Sequence, residues 1–446
     1  MKKNLVMGVA KGYGWYVLEP FVNSFFKNCS SAELVLFVDD ISDFTRDKMI
    51  RAGVTLKNFP YKIEGIPNNT RWKIFCDFLE VHGDEYEQIF ITDTRDVIFQ
   101  ADIFKGFKGF SNWLGCVTEA DDIRGSKSGN LINYNWLVSC FGKNEADKIA
   151  NKKIICCGTV IGSAAEMKIF CRELWKILEH KTGGVFDQAV TNWLVYNGLL
   201  PIENLFEIDV DSGEIFTACL VDMQKSIKFQ NGMILRGDGG IPAVVHQYER
   251  DEDLLWLVDK LYCDKNISFD ERFTDPRSLL EQCCSLLLVD KITGATRLFL
   301  KIFFEITDFN AYVSQLIEIL SIALRKKFSQ TVETLELAVQ NALNSVEKIA
   351  DAQLIKLHKQ LICLAKNHHA VDLEFRNSFA NRLLQIAEEN LANGAPEFYC
   401  FRCINMIEAL DMPSEKKFYL FVAKANRIFG HKDAALAAYK KVLDLS

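Results

Sequence analysis

The stretch that decides the fold is QIFITDTRDVIF, residues Gln88–Phe99. An apolar run of strand length comes first, and two carboxylates, Asp93 and Asp96, follow it directly. Ligands of open α/β sheets bind at the carboxyl ends of the strands, so this position favours a ligand site. Paired carboxylates are typical of sites for a divalent cation that holds a phosphate. The stretch therefore predicts a buried strand with a cation site at its end. The alternative is that Asp93 caps a turn and Asp96 pairs with Arg95.

The rest of the N-terminal half alternates short apolar segments with amphipathic ones. Strands are predicted over Asn4–Ala10, Glu33–Val38, Gln88–Ile91, Leu114–Thr118 and Ile154–Ile161. Helices are predicted between them, over Val17–Phe26 and Arg71–Val81. This alternation is typical of α/β proteins, in which helices cover a mainly parallel sheet. We expect an α/β domain over residues 1–262.

The pattern changes to helical periodicity after Tyr262. The polar segment 263–277 contains Pro276 and is predicted to be a linker. Helices are predicted over Ser278–Asp290, Gly294–Glu305, Asn310–Lys326, Gln330–Ala350, Leu354–Ala365, Leu373–Leu391, Phe398–Leu410, Glu415–Phe429 and Lys432–Leu445. The small residues Gly430 and Ala435 in the last pair resemble the second half of a tetratricopeptide repeat. We expect an all-helical domain over 278–446, either a repeat array or a bundle.

Size and composition exclude several classes of protein. With 446 residues the chain can form two or three domains, and 49% hydrophobic with 25% charged residues indicates an ordinary soluble protein. The net charge of −7 argues against general nucleic-acid binding. The sequence contains no apolar run of about 20 residues, so no transmembrane segment is predicted. Peripheral contact with a membrane stays open.

The N-terminus and the cysteines bear on the compartment. The apolar run Leu5–Ala10 is short and breaks at Lys11, so it predicts a first strand rather than a signal peptide. The 14 cysteines are scattered through apolar runs or vicinal, as in Cys156 and Cys157, and match neither a zinc site nor a disulfide scaffold. We expect reduced thiols and a cytoplasmic protein.

A second candidate segment is IPAVVHQYER, residues Ile241–Arg250. A short apolar strand ends there in His246, which we expect to return to the acidic pair as a third metal ligand. Arg250 is a candidate clamp for a diphosphate, because guanidinium pairs well with phosphate oxygens. A structural histidine at a strand end is the alternative.

A third candidate region combines CCGTVIGS, Cys156–Ser163, with GGVFDQ, Gly183–Gln188. The glycines, Gly158 among them, would let the backbone approach a sugar closely, and Thr159 beside it is a further candidate for ligand contact. Asp187 and Gln188 stand at the start of a predicted helix and are candidates for catalysis or for contacts with sugar hydroxyls. The alternative is that Asp187 serves only as a helix cap.

Further residues are candidates for a nucleotide pocket. They are Tyr13 after the first strand, Asp39 and Asp40 at the end of the second, Arg71 and Lys73 at the start of a helix, and Arg95 between the two acids. Tyr13 would stack on a base, and the cationic side chains would meet phosphate. Surface charge and aromatic packing are the alternatives for this set.

In order and spacing, these segments resemble GT-A-type glycosyltransferases, and in particular bacterial and viral proteins with the series DVRDVxFQ…GxxIGS…FDQ…HQYDR. The resemblance rests on RWKIFCDFL from Arg71, TDTRDVIFQ from Thr92, YNW from Tyr134, and the glycine, FDQ and HQY segments. Two departures are Thr94 for the usual Val and Glu249 for the usual Asp. The aspartate pair with a histidine is also similar to that of collagen-modifying sugar transferases.

The resemblance covers residues 1–262 and implies a GT-A mixed sheet with flanking helices. It implies a nucleotide-sugar donor, by family habit a UDP-sugar, and Mn²⁺ or Mg²⁺ held by Asp93, Asp96 and His246. Asp187 and Gln188 would face the donor sugar or a glycan or glycolipid acceptor, in an inverting or a retaining reaction. By analogy the setting is surface-polysaccharide or lipopolysaccharide assembly.

The sequence also bears on two other functions. An NAD-linked oxidoreductase is disfavoured, because Gly12 and Gly14 supply only a fragment of GxGxxG. A non-catalytic sugar- or nucleotide-binding scaffold, with a helical region for protein partners or self-association, stays open as the alternative function.

Overall fold

The computed structural model describes residues 2–60, 67–181, 184–219, 227–303, 309–326 and 416–444, with isolated positions between 381 and 407. The chain divides into two compact units, Met1–Ala295 and Thr296–Ser446. Each unit is described by itself.

A mixed sheet of seven strands organises the first unit. The strands are β1 (Lys3–Lys11), β2 (Ala32–Asp39), β3 (Thr55–Asn58), β4 (Tyr86–Thr92), β6 (Trp113–Asp122), β7 (Lys153–Ser163) and β8 (Asn204–Ile208). Their order is β3-β2-β1-β4-β7-β6-β8, and β7 pairs antiparallel with both of its neighbours whereas the other pairs are parallel. The prediction of an α/β mixed sheet with flanking helices is confirmed, and each predicted strand lies in it.

Helices flank this sheet on both sides. They are α1 (Trp15–Asn28), α2 (Asp43–Ala52), α3 (Pro67–His82), α4 (Ile132–Phe141), α5 (Lys143–Ile149), α6 (Ala164–Leu178), α7 (Asp187–Tyr196), α8 (Glu252–Tyr262) and α9 (Pro276–Leu288). Ile89 and Ile91 of β4 pack in the core with Trp72 of α3, whereas Phe90 points to the opposite face, 6.1 Å from the ring of Phe99. A strand covered on both faces needs an unbroken apolar run, which is the pattern of β4.

A smaller sheet brings a late segment of the chain to the end of β4. Its strands are β5 (Val97–Phe99), β9 (Ile215–Thr217) and β12 (Val244–His246), and β10 (Ile227–Gln230) forms a separate hairpin with β11 (Met233–Arg236). β12 lies between β5 and β9, with His246 opposite Val97 and Thr217. His246 is thereby placed beside the residue that precedes β5, which is Asp96.

The segment predicted to be a linker packs against the first unit. The Asp264 amide donates to Glu19 Oε1 at 2.9 Å, and the rings of Phe273 and Phe44 lie 5.7 Å apart. α9 also belongs to this unit, which extends to Ala295. The boundaries at 262 and 278 remain predictions about which parts fold independently.

Helices continue beyond α9 as α10 (Ile292–Phe303), α11 (Phe309–Arg325), α12 (Lys416–Ile428) and α13 (Lys432–Asp444). Gly430, with φ of +86°, forms the turn between the last two, and Ala435 is buried. The predicted helices Gln330–Ala350 and Leu354–Ala365 lie outside the described residues, and Leu373–Leu391 and Phe398–Leu410 fall almost entirely outside them. A tetratricopeptide-like array stays a prediction. Within the described part of the chain, no helix combines the length and apolar character that a bilayer crossing needs.

Candidate metal centre and ligand cleft

Three side chains from two sheets converge at the carboxyl end of β4. Asp93 follows β4, Asp96 precedes β5, and His246 ends β12, and one ligand atom of each lies within 4.8 Å of the others. His246 Nε2 is 3.4 Å from Asp93 Oδ2 and 3.7 Å from Asp96 Oδ1. This is the trio that the sequence predicted as metal ligands.

The backbone around the trio is held by a hydrogen bond at the end of each sheet. In the seven-stranded sheet the Asp93 amide donates to the Gly158 carbonyl at 2.8 Å, and in the three-stranded sheet the Gln247 amide donates to the Asp96 carbonyl at 2.8 Å. Gln247 adopts the left-handed conformation, with φ of 58°, which turns the chain directly after His246. These contacts fix the backbone that carries the donor side chains.

The residues present fit a divalent cation. His246 is fully buried, and its Nε2 has no hydrogen-bond partner among the described residues. A Cβ at Gly158 would overlap the Asp93 carboxylate and lie 2.8 Å from His246 Cε1, so only glycine leaves this space open. Buried polar atoms normally have partners, and an orphaned imidazole nitrogen beside two carboxylates is explained by a cation. Carboxylate oxygens with one imidazole suit Mn²⁺, and the carboxylates also suit Mg²⁺.

The charges in the trio are strongly coupled. Burial alone would raise the pKa of the Asp93 carboxyl, but the Arg71 guanidinium and His246 outweigh it and hold the pKa below its usual range. Burial raises the pKa of Asp96, with the Asp93 carboxylate adding to the rise and His246 opposing it. Burial would lower the pKa of His246, but the two carboxylates raise it above its ordinary value. A cation bound here would therefore compete with protons.

Arg71 links the centre to the start of α7. Its guanidinium forms an ion pair with Asp93 Oδ1 and another with Asp187 Oδ2, the latter at 2.8 Å. Trp72 Nε1 also donates to Asp187 Oδ2 at 3.4 Å, and the backbone amide of Gln188 donates to Asp187 Oδ1 at 2.9 Å. Both oxygens of this buried carboxylate are thus engaged. Asp187 holds Arg71 against the metal centre.

A cleft of about 660 Å³ opens beside the centre. Its lining includes nine of the predicted residues: Tyr13, Arg71, Asp93, Arg95, Asp96, Gly158, Asp187, Gln188 and Arg250. Arg95 pairs with Glu249, and burial raises the pKa of the Tyr13 hydroxyl. The structure therefore brings most of the predicted donor-binding set into one cavity.

Four predicted residues do not line the cleft. Lys73 is 38% exposed and pairs with Asp77 one helical turn away. The Asp39 carboxylate is held by Lys11 Nζ at 2.6 Å. Thr159 and His246 are fully buried, and His246 lies behind the lining, with its Nε2 3.4 Å from Oδ2 of Asp93.

Sequence reasoning missed several residues of the site. Lys11 lines the cleft at the end of β1, and the strand-end rule that selected Asp39 and Asp40 could have found it; of those two acids, Asp40 lines the cleft. Glu119 and Asn133 lie behind Gln188, whose Nε2 donates to their oxygens at 3.2 and 2.8 Å. Burial raises the pKa of Glu119. These two come from β6 and α4, and no local motif marks them.

Comparison with known proteins gives fold-level similarity only. No protein-family model and no curated protein matches the chain. Among solved structures, it is similar to an apo structure of the bifunctional glycosyltransferase WbbM, at 13% identity and a TM-score of 0.35, over 55% of this chain and 45% of that chain. It is also similar to an active-site mutant of LgtC, at 13% identity and a TM-score of 0.37, over 60% of this chain and 98% of that one.

The chain thus spans less than half the length of WbbM. Similarity at these values carries no argument about function. The fold and the site define a protein with a mixed α/β sheet and a carboxylate–imidazole centre at the end of a central strand.

Proposed function

We propose that this chain is a metal-dependent glycosyltransferase that moves a sugar from a nucleotide-sugar, with a UDP-sugar the first donor to test. The observation that carries the proposal is the Asp93, Asp96 and His246 centre at the edge of a cleft whose lining also includes cationic side chains. A cavity of about 660 Å³ is in the range of small-molecule sites.

The proposed metal site is the trio beside the cleft. Asp93, Asp96 and His246 would hold Mn²⁺ or Mg²⁺, and the carboxylate of Asp93 is 33% exposed. A bound cation supplies charge stabilisation for the diphosphate that leaves when the sugar is transferred. The three residues would position that charge because backbone hydrogen bonds to Gly158 and from Gln247 fix the segments that carry them.

Cationic side chains support diphosphate binding. Lys11, Arg71, Arg95 and Arg250 all line the cleft. The Arg250 side chain is 58% exposed, so it can reach a ligand without giving up a buried contact. Arg71 is already committed to two carboxylates and acts as a fixed positive charge in the wall.

Gln188 and Asp187 are proposed to lie at the sugar end. The side-chain nitrogen Nε2 of Gln188 donates to Glu119 and Asn133. This orientation turns Oε1 toward Cys157 Sγ, which lies 3.7 Å away on the cleft wall. We assign Oε1 to accept a hydrogen bond from a sugar hydroxyl. Asp187 as a catalytic carboxylate stays part of the proposal, and it would act on the acceptor only after release from Arg71.

The proposed acceptor is a glycan or glycolipid, in surface-polysaccharide or lipopolysaccharide assembly at the cytoplasmic face of a membrane. The helical region is proposed to bind a protein partner or to mediate self-association. α9 packs within the first unit, so the truncation that tests this role should end at Ala295. Wild-type rates and a monomeric truncated enzyme would contradict it.

The decisive experiment is a donor screen by calorimetry. UDP-, GDP-, CMP- and dTDP-sugars are titrated with and without Mn²⁺, beside the Asp96→Ala variant. We expect one nucleotide to bind, and only when both the metal and Asp96 are present. Turnover of that sugar onto an acceptor supports the transferase, and binding without turnover supports the scaffold. The absence of metal-dependent nucleotide binding by folded protein contradicts the transferase and favours the scaffold.

A further inference from the structure

α9 contacts the edge of the cleft, although it follows the predicted linker. Two loops form this edge: residues 11–13 at the end of β1, and residues 40–42 after β2. We call them the rim loops. Lys11, Gly12, Tyr13 and Asp40 of the rim loops line the cleft. α9 begins at Pro276, with Asp275 as its cap, whose side chain accepts from the Ser278 amide at 2.9 Å. The first two turns of α9 then face the rim loops.

Arg277 holds one rim loop at two points. Its Nη1 donates to Asp40 Oδ1 at 2.7 Å, and its Nη2 donates to the Asp40 carbonyl at 2.5 Å. Asp40 has a φ of +50°, a left-handed conformation that a residue other than glycine adopts at some cost. A bidentate guanidinium is well suited to keep the loop in this conformation.

The Glu281 carboxylate binds the same rim loop. Its side chain is fully buried, and Oε2 accepts from Ser42 Oγ at 2.5 Å and from Thr45 Oγ1 at 2.6 Å. Oε1 accepts from Arg277 Nε at 3.2 Å. Ser42 is in turn the cap of α2, accepting from the Thr45 amide at 3.0 Å. One buried carboxylate therefore joins Arg277, the rim loop and the start of α2.

Glu281 also lies next to the second rim loop. Gly14, which directly follows Tyr13 and caps α1, is so close to it that an added Cβ would lie 3.0 Å from Glu281 Cγ. The Gly12 amide donates to the Asp39 carbonyl at 3.1 Å, so the two rim loops are also tied to each other. A change at Arg277 or Glu281 would thus be transmitted to both.

We propose that Arg277 and Glu281 are positioning residues for the nucleotide end of the cleft. They keep the rim loops in the conformation that places Lys11, Tyr13 and Asp40 around a nucleoside diphosphate. Neither residue touches the metal ligands, which lie at the ends of β4 and β12. The inference rests on the proposed function and adds that a helix outside the α/β sheet completes the binding site.

The test compares Arg277→Gln with Arg272→Gln in the full chain. Arg272 is the matched control because it too forms an ion pair with an aspartate of an earlier segment, Asp47 of α2 at 3.1 Å, whereas its other partner is Asp270 and not a residue of the rim loops. Calorimetry measures the Kd of UDP with Mn²⁺ and the Kd of Mn²⁺ alone. Hydrogen exchange follows peptides that cover residues 10–18 and 38–46.

We expect Arg277→Gln to weaken UDP binding about tenfold, the size of one lost charge-assisted hydrogen bond, and to leave Mn²⁺ binding unchanged. Hydrogen exchange in Arg277→Gln should accelerate in the two peptides. The variant Arg277→Lys should bind UDP more tightly than Arg277→Gln does, and Arg272→Gln should match the wild type. Unchanged UDP affinity in Arg277→Gln overturns the inference, and so does an equal loss of UDP and Mn²⁺ binding. A wild-type protein that binds no nucleoside diphosphate overturns the proposed function first.

Discussion

Nε2 of His246 lies 3.4 Å from Oδ2 of Asp93, although the two residues belong to different sheets. Asp93 follows a strand of the seven-stranded sheet, and His246 ends the middle strand of the three-stranded one. The candidate metal centre therefore depends on how β12 pairs with β5, and its integrity reports on the packing of the two sheets.

Removing one charged ligand should abolish tight metal binding. Asp96→Asn keeps the size of the side chain and removes its charge, and we expect the Kd for Mn²⁺ to rise at least about hundredfold. Electron paramagnetic resonance of free Mn²⁺ measures it. Asp77→Asn, on the exposed side of α3, is the control and should bind as the wild type does. Equal affinity in the two variants would remove Asp96 from the metal site.

A single methyl group at Gly158 should close the centre. Gly158→Ala places its Cβ against the Asp93 carboxylate and 2.8 Å from His246 Cε1, so we expect Mn²⁺ binding to be lost. Gly83→Ala is the matched control, because its Cβ would meet Leu79 at an ordinary 3.8 Å. Circular dichroism checks that both variants fold. Full metal binding by folded Gly158→Ala would mean that the cation lies elsewhere.

Arg71→Ala should destabilise the protein, and Mn²⁺ should restore part of the loss. The change leaves the carboxylates of Asp93 and Asp187 without their buried guanidinium, which costs about 3 kcal/mol of the free energy of unfolding. A cation at the centre would neutralise Asp93. Urea unfolding with and without Mn²⁺ measures both effects.

The control for this prediction is Arg124→Ala. Arg124 pairs with Asp147 on the surface, and its loss should change the free energy of unfolding by no more than about 0.5 kcal/mol. If the two variants are equally stable, the buried bridge contributes nothing. The double variant Arg71→Ala with Asp96→Asn is measured as well. If Mn²⁺ stabilises Arg71→Ala no more than it stabilises this double variant, the stabilisation by Mn²⁺ arises away from the centre.

Two lysines should differ in their effect on nucleotide binding. Lys11 lines the cleft, whereas Lys73 faces solvent and pairs with Asp77. We expect Lys11→Ala to weaken UDP binding with Mn²⁺ about tenfold and Lys73→Ala to leave it unchanged. Calorimetry on the two variants distinguishes them. A larger loss from Lys73→Ala would show that the helix contacts the ligand with its outer face.

Glu19 should make stability depend on pH. Burial in α1 raises its pKa from 4.5 to about 7, although the Asp264 amide opposes the rise. The unfolded chain releases this proton near pH 4.5 and the folded protein near 7, so the free energy of unfolding falls as the pH rises between these values. Glu19→Gln should be more stable than the wild type at pH 8, by up to about 3 kcal/mol.

The same comparison at low pH checks the cause. Below about pH 4.5 both states of the wild type carry the proton, and the advantage of Glu19→Gln should vanish. Thermal unfolding across the pH range gives the difference. An advantage that persists at low pH would trace to packing rather than to the charge.

The sequence by itself determined the elements that depend on neighbouring residues. The apolar run of β4 predicted a buried strand, and Asp93 and Asp96 follow it by simple succession. The strand is confirmed, because it rests on a local pattern. His246 was expected beside the two acids from its place at the end of a late strand and from the resemblance, and the structure brings it there through a second sheet.

Only the tertiary structure decided which side chains face the cleft. Arg71 and Lys73 stand two residues apart on α3, so they point to different sides of the helix, and packing turns Arg71 inward. Asp39 lies opposite Lys11 across β1 and β2 and is neutralised there, while the left-handed turn at Asp40 puts the next carboxylate at the cleft. The place of Glu281 against Ser42 likewise arises from contacts between segments far apart in the chain. A sequence pattern has no information about such pairing, because it depends on distance in space and not on spacing along the chain.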